Sequence, residues 1–332
     1  MTQTIMEQEA KQSPQIIAEQ VKSNTIIVNK IGKNIREFDP KMVMIIGRGS
    51  SDHAGVFAKY LIEIEANIPT MAAAPSVSSV YKKQLKLDSA VVIVISQSGR
   101  SPDIIAQAKM AKAGGAYCIA IVNDETSPLK DIVDDVLPIR AGKEISVAAT
   151  KSYLATLSAL LHLTSAWTEN TELLTALKQF PLFMEKAVSA KVQLPPTVFS
   201  QVNNMVVLSR GVGFAIAKEM ALKLKEVCSI HAEAFSSAEF LHGPITLVEK
   251  GLVILNCSVN DESEQSHDEQ MQEVIRRGAD VIHLNQVGVS VHPRLAPLLV
   301  LQRFYIDIAN VSVARGLNPD IPKGLNKVTQ TL

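Results

Sequence analysis

A single offset of 162 positions organises this chain of 332 residues. Val43-Met44-Ile45-Ile46-Gly47-Arg48-Gly49 lies over Met205-Val206-Val207-Leu208-Ser209-Arg210-Gly211, and Val91–Ser96 lies over Val253–Ser258. Each first segment is a short apolar run closed by Arg-Gly and followed by a helical pattern, so the chain reads as two copies of one layered unit. The copies are unequal. The first continues as Ser96-Gln97-Ser98-Gly99-Arg100-Ser101, a sequence of hydroxyls and glycine suited to an anion. The second continues as Ser258-Val259-Asn260-Asp261-Glu262-Ser263, which is acidic and a poor host for phosphate. The second copy instead carries Glu219, Lys223, Glu226 and His242, with Leu61 and Ile64 of the first copy opposite Lys223 and Glu226. One half reads as built for grip and the other for chemistry.

Apolar runs bounded by turn residues alternate with helical patterns in both halves. The first half predicts strands over 43–46, 68–73, 91–95, 116–122 and 133–138, with helices over 52–64, 76–85 and 102–113. The second predicts strands over 205–208, 230–235, 252–256 and 280–284, with helices over 213–227 and 268–277. Continuously apolar strands between helices define an α/β fold with parallel sheets covered on both faces. Helical periodicity also marks 14–37 (through Ile16, Ile17, Val21, Ile26, Ile27 and Ile31), 148–163, 172–190 and 297–313. Pro195-Pro196 marks a linker, and the tail from Gly316 is irregular. The boundaries that follow are an N-terminal helical segment over 1–35, a first domain over 36–190, and a second over 191–332 holding the charged helix and the tail.

Composition narrows the function. Thirty-three basic and 33 acidic residues cancel, which leaves no electrostatic footprint for nucleic acid or an anionic membrane. No apolar run approaches the ~18 residues of a membrane helix. The polar N-terminus resembles neither a signal nor a transit peptide. The three cysteines, Cys118, Cys228 and Cys257, are far apart and fit reduced thiols, so a cytoplasmic location is expected. The histidines show no metal-ligand spacing.

The segment VVIVISQSGRSPD sets a Ser/Gly turn between a buried strand and a helix. Free N–H groups and positive partial charge at a helix start favour phosphate. Ser96, Gln97, Ser98 and Ser101 add side-chain donors, Gly99 permits close approach, and Pro102 opens the helix without wasting a donor. Gly49-Ser50-Ser51 closes the first strand in the same manner. The missing lysine and the spacing exclude a nucleotide P-loop. An ordinary polar turn has the same composition, so the pattern alone leaves both readings open.

Glu219, Lys223 and Glu226 stand at i, i+4 and i+7 on one helical face. That spacing serves a solvated ion pair as readily as a cleft. The apolar company of Ala217, Met220, Ala221, Leu222 and Leu224 argues for the cleft. His242 precedes Gly243-Pro244, a turn that suits either an exposed imidazole or a structural one.

The pieces GRGSSDHAG, SQSGRSPD, EISVAATKS, ALKLKEVCSIHAEAFSSAEFLHGP and GLNKVTQTL resemble the sugar isomerase (SIS) domain family over nearly the whole chain. They resemble the isomerase half of glucosamine-fructose-6-phosphate aminotransferase. The long ALKLKE-to-HGP stretch is the specific element, whereas the serine loop is shared by many SIS proteins. The resemblance implies two tandem SIS domains, each a flavodoxin-like, doubly wound parallel sheet. It places phosphate on Ser51, Ser96, Gln97, Ser98 and Ser101, with Gly49, Ser50 and Val147 lining the sugar. Glu226 matches the base that moves a proton between C1 and C2. Lys223 matches the lysine assisting at the sugar oxygens, and Glu219 the carboxylate beside it. His242 matches the ring-opening histidine, presented to the neighbouring subunit, which implies a homodimer. Lys327 matches the C-terminal lysine able to form a Schiff base with an open ketose. No metal or organic cofactor is implied.

The chain departs from those aminotransferases in having Arg100 for Glu, Arg48 for Cys and Ser146 for Gly. About 35 residues precede the first strand, so no glutamine-hydrolysing domain and no internal ammonia source are expected. Arg48-Gly49-Ser50-Ser51-Asp52-His53 is more similar to stand-alone SIS enzymes that release ammonia. The expected activity is glucosamine-6-phosphate deamination to fructose 6-phosphate and ammonia. Alternatives are galactosamine-6-phosphate deamination, deglycation of a fructosamine phosphate, and a sugar-phosphate sensor without catalysis.

Overall fold

The structure, a computed structural model, describes residues 3–325 and Lys327. Helices α1 (Ile5–Lys11) and α2 (Ser13–Phe38) open the chain. Strand β1 (Met42–Ile46), α3 (Ser50–Ala66), β2 (Thr70–Ala72), α4 (Pro75–Ser79), β3 (Ala90–Ile95), α5 (Pro102–Ala113), β4 (Tyr117–Val122) and β5 (Asp135–Pro138) follow. Then come α6 (Lys151–Trp167), α7 (Thr171–Ser189), α8 (Pro196–Phe199), β6 (Asn204–Ser209), α9 (Gly213–Cys228), β7 (His231–Ser236) and α10 (Ser237–Phe240). Strand β8 (Val253–Cys257), α11 (Glu264–Arg276), β9 (Asp280–Leu284) and α12 (Ala296–Ala314) complete the order.

The chain forms two compact units. One comprises Gln15–Lys143 and Ser152–Lys178; the other comprises the chain up to Pro14, Glu144–Lys151 and Gln179–Lys327. The first holds a parallel sheet in the order β2-β1-β3-β4-β5, and the second a parallel sheet in the order β7-β6-β8-β9. The duplication extends to register. Val43 pairs with Val91 and Thr70; 162 positions on, Met205 pairs with Val253 and Ala232. The match slips by one residue at the next strand, where Val91 pairs with Tyr117 but Val253 with Asp280.

In the first unit β3 is buried along its whole length, as its β-branched run requires. Helix α2 presents Ile17, Val21, Asn24, Val28, Ile31 and Ile35 to the core. Ile26, expected on this face, is 87% exposed, while Asn24 is fully buried. The exchange has a cause at the end of β5: Asn24 Nδ2 donates to the carbonyl of Pro138 at 2.7 Å and its Oδ1 accepts from Arg140 Nε at 2.7 Å. Buried backbone groups need partners, and an isoleucine offers none. The helix expected over 76–85 ends at Ser79, because Val80 and Tyr81 face solvent and Lys82 adopts φ +52°.

In the second unit α12 is buried along nearly its whole length and packs on α9 and α1. The link from α7 toward β6 is clamped by a buried pair, Arg303 and Asp307; Asp307 Oδ2 also accepts from the amides of Gln193 and Leu194 at 2.9 and 3.1 Å. Among the described residues no helix is long and apolar enough to cross a membrane, and no cluster of His, Cys, Asp and Glu could hold a metal. Burial pushes the thiols of Cys118, Cys228 and Cys257 up to about 12.

Candidate active site

The charged face of α9 is buried. Glu219 and Lys223 are 0% and 1% exposed, whereas the Glu226 side chain keeps 15%. Lys223 Nζ lies 3.1 Å from Glu219 Oε1 and 2.7 Å from Glu226 Oε2. Burial alone would lower the pKa of the ammonium. The two carboxylates override that and hold its pKa above the ordinary lysine value. Glu219 is anchored by α12, whose buried Tyr305 donates to Glu219 Oε1 at 3.3 Å. A phenol inside an apolar helix needs such a partner, which is the signal that sequence reading passed over. The offset places Phe57 and Leu61, both fully buried, opposite Glu219 and Lys223. The same helix face is thus apolar in one copy and ionic in the other.

His242 is exposed beyond α10, its amide bonded to the carbonyl of Glu239 at 3.0 Å and followed by Gly243 at φ +146°. Among the described residues its ring makes no hydrogen bond or ion pair with the α9 group.

Val147 and Lys327 both belong to a clasp in the second unit that the sequence did not reveal. Glu9 of α1, 3% exposed, accepts from the amides of Ile145 and Ser146 at 2.6 and 3.0 Å and pairs with Lys151 at 3.3 Å. The Val147 amide donates to the carbonyl of Asp320 at 3.0 Å, and the Asp320 carboxylate accepts from the first amides of α1, Ile5 and Met6. Lys327 Nζ donates to the carbonyl of Ser146 and lies 3.7 Å from the buried carboxylate of Glu144. The amides of 145–147 are therefore all engaged within the chain.

The serine loops lie in the first unit. Ser96 is 8% exposed at the end of β3, and its Oγ accepts from the amide of Gly99 at 3.1 Å. Ser98 Oγ accepts from the Arg100 amide at 3.4 Å. Gly99 adopts φ +61°, its carbonyl accepts from Ser127 Oγ at 2.9 Å, and a Cβ on it would stand 2.0 Å from that oxygen. Ser101 is the N-cap residue of α5 yet makes no side-chain cap bond. Gly49, at φ +55°, begins α3 ahead of Ser50 and Ser51, again without a side-chain cap. Arg100 turns onto Asp124, with Nε and Nη2 at 3.0 and 2.8 Å, and its Nη2 also reaches Thr126 Oγ1 at 2.9 Å.

The corresponding loop of the second copy has consumed its donors. Asp261 Oδ1 accepts from the amide and hydroxyl of Ser263 at 2.8 and 2.5 Å. Glu262 is gripped by both Nη atoms of Arg294 at 2.7 Å, and that contact lowers its pKa to about 2. In this copy a carboxylate of the loop is thus held by an arginine of the chain itself.

Two parallel sheets in one duplicated topology, one unit with a hydroxyl-rich loop and the other with a buried group of charges, define a tandem α/β fold. The SIS domain model matches residues 38–166 and 198–295, and the chain belongs to the SIS domain family. It is 31% identical over 337 residues to glutamine–fructose-6-phosphate aminotransferase [isomerizing] from Clostridium acetobutylicum, covering 94% of this chain and 55% of that protein. The chain thus spans about half the length of the curated relatives it matches. Among solved structures, a protein described as a candidate phosphosugar isomerase from Silicibacter pomeroyi DSS-3 is 34% identical, with TM-score 0.90 over 96% of this chain and 100% of that one. The C-terminal domain of glucosamine-fructose-6-phosphate aminotransferase from Francisella tularensis is 26% identical, with TM-score 0.84 over 97% and 99%.

Proposed function

We propose that the protein isomerises and deaminates an amino-sugar phosphate, glucosamine 6-phosphate, to fructose 6-phosphate and ammonia. The observation that carries this reading is the sealed Glu219–Lys223–Glu226 group, in which Glu226 alone of the three retains access to solvent. His242 opens the pyranose, work suited to an imidazole near neutral pH. In this reading His242 serves the neighbouring subunit of a homodimer. Glu226 takes the proton from C2 of the open-chain aldose and returns it to C1, which converts the amine at C2 to an imine. Water adds at C2, the C–N bond breaks, and ammonia leaves the ketose. Lys223, held charged, stabilises oxyanion charge as the enol forms, and Glu219 holds Lys223 in place. Ser51, Ser96, Gln97, Ser98 and Ser101 bind the phosphate, a grip remote from the reacting carbons that supplies orientation. Gly49, Ser50 and Val147 line the sugar. Lys327 is the amine able to form a Schiff base with the ketose once it leaves the carbonyl of Ser146 and Glu144.

The test is purified protein with glucosamine 6-phosphate, ammonia and fructose 6-phosphate being assayed together. Equimolar release of both is expected; release of neither rejects the reading. Galactosamine 6-phosphate in the same assay measures selectivity at C4.

A further inference from the structure

We infer that Arg48 is the charged member of the phosphate grip, set in place by the buried carboxylate of Asp103. The inference rests on the phosphate role proposed for the serine loops and adds a residue to it. Residues 47–51 and 96–101 carry two guanidiniums, Arg48 and Arg100, and no other charged side chain. Hydroxyls and amides alone face a ligand that is close to a dianion at neutral pH, so a cation beside them has much to contribute.

The two arginines differ in what they have left to give. Arg100 spends Nε and Nη2 on Asp124 and Thr126, which turns it toward the loop after β4. Arg48 uses Nε alone, donating to Asp103 Oδ2 at 2.9 Å. Its Nη1 and Nη2 have no hydrogen-bond partner among the described residues, and the side chain is 49% exposed. Those two nitrogens are the pair that grips a phosphate in fork geometry.

Position supports the assignment from both sides. Arg48 directly precedes Gly49-Ser50-Ser51. Its partner Asp103 is the second residue of α5, two positions after Ser101, and its side chain is fully buried. The ion pair therefore ties the loop after β1 to the loop after β3. A buried carboxylate in the first turn of α5 would by itself repel an anion at that helix start. Arg48 cancels that charge and leaves the outer edge of its guanidinium toward solvent.

The experiment uses the full chain and inorganic phosphate, titrated calorimetrically, with glucosamine 6-phosphate as a second ligand. The variants are Arg48→Gln, Arg48→Lys, and the double variant Arg48→Gln/Asp103→Asn, each checked for unchanged circular dichroism. The expected result is about tenfold weaker phosphate binding for Arg48→Gln, a smaller loss for Arg48→Lys, and no recovery in the double variant. Equal affinity in Arg48→Gln and the parent overturns the proposal. So does full recovery in the double variant, which would reduce Arg48 to a neutraliser of Asp103. A parent that binds no phosphate overturns the grip and this proposal together. If no ammonia is released from glucosamine 6-phosphate while phosphate binding still depends on Arg48, the deaminase reading falls and Arg48 stands.

Discussion

Lys223 and Glu226 are joined by a 2.7 Å contact in which one partner is sealed from water and the other is not. In the proposed reaction the base must reach a sugar carbon and the ammonium must stay charged, which are opposite needs for exposure. Glu219 closes the inner side of the group at 3.1 Å.

Replacing Glu226 with Gln removes the proton acceptor and keeps its shape. Turnover should fall at least ~10²-fold, the scale of general-base contributions. Affinity for glucosamine 6-phosphate, read by titration calorimetry, should stay within about threefold, since less than ~0.7 kcal/mol of binding is at stake. Retained turnover would remove Glu226 as the base.

Replacing Lys223 with Met leaves two carboxylates, one fully buried, without their cation. Stability should drop by about 3–5 kcal/mol, the cost of breaking a buried pair. The double variant Glu219→Gln/Lys223→Met should regain much of that stability in urea unfolding while remaining inactive. If the double variant is as unstable as the single one, the group is not coupled as described.

Gly99→Ala puts a side chain at φ +61° and 2.0 Å from Ser127 Oγ. The backbone conformation alone costs on the order of 1–3 kcal/mol, and the loop must shift to relieve the clash. Inorganic phosphate binding should weaken more than tenfold while the circular dichroism of the folded protein stays unchanged. Undiminished binding would separate the loop from the phosphate.

Removing the Glu9 carboxylate, as in Glu9→Ala, unpairs the amides of Ile145 and Ser146 and leaves the buried ammonium of Lys151 with Gln12 Oε1 but without that carboxylate. Each buried donor left unmade costs about 1–3 kcal/mol. The Val147 segment should loosen, raising KM for the sugar phosphate, and hydrogen exchange at 145–147 should accelerate. Exchange rates equal to the parent's would show that α1 does not hold this segment.

Burial holds the imidazoles of His162 and His267 down to about 4, from 6.5. Between those values the unfolded chain binds the protons and the folded chain does not, so folding stability falls as pH drops from 6.5 toward 4. Melting temperatures at pH 7 and pH 5 should differ clearly, and His162→Leu should reduce the difference. A variant with the parent's pH slope would clear His162 of this role.

Much of the fold was legible because strand periodicity and the 162-residue offset are local properties of the chain. The same offset carries into the pairing of β1 with β2 and β3 and of β6 with β7 and β8. Turn chemistry at Gly49 and Gly99, and the start of α5 at Pro102, were equally local. Helix α1 lies inside the helical segment expected over 1–35, although the periodicity read there begins only at residue 14, because its seven residues carry Glu7, Glu9 and Lys11. Ile26 and Asn24 exchanged places for a related reason: a helix's periodicity names its faces but not the backbone groups that await it.

The duplication, the parallel α/β sheets, the hydroxyl-rich loop in one copy and the i, i+4, i+7 charges in the other follow from local pattern in the chain. Which of those charges left water depends on packing between distant elements. Glu219 and Lys223 are buried because α12 packs over α9 and brings Tyr305 to Glu219; Arg100 is taken by Asp124 while Arg48 keeps two nitrogens; and Glu9 finds the amides of 145 and 146 from over a hundred residues away. Helical spacing fixes which side chains share a face. Whether that face meets solvent, a carboxylate or a tyrosine depends on elements distant in sequence, and burial sets the worth of every charge on it.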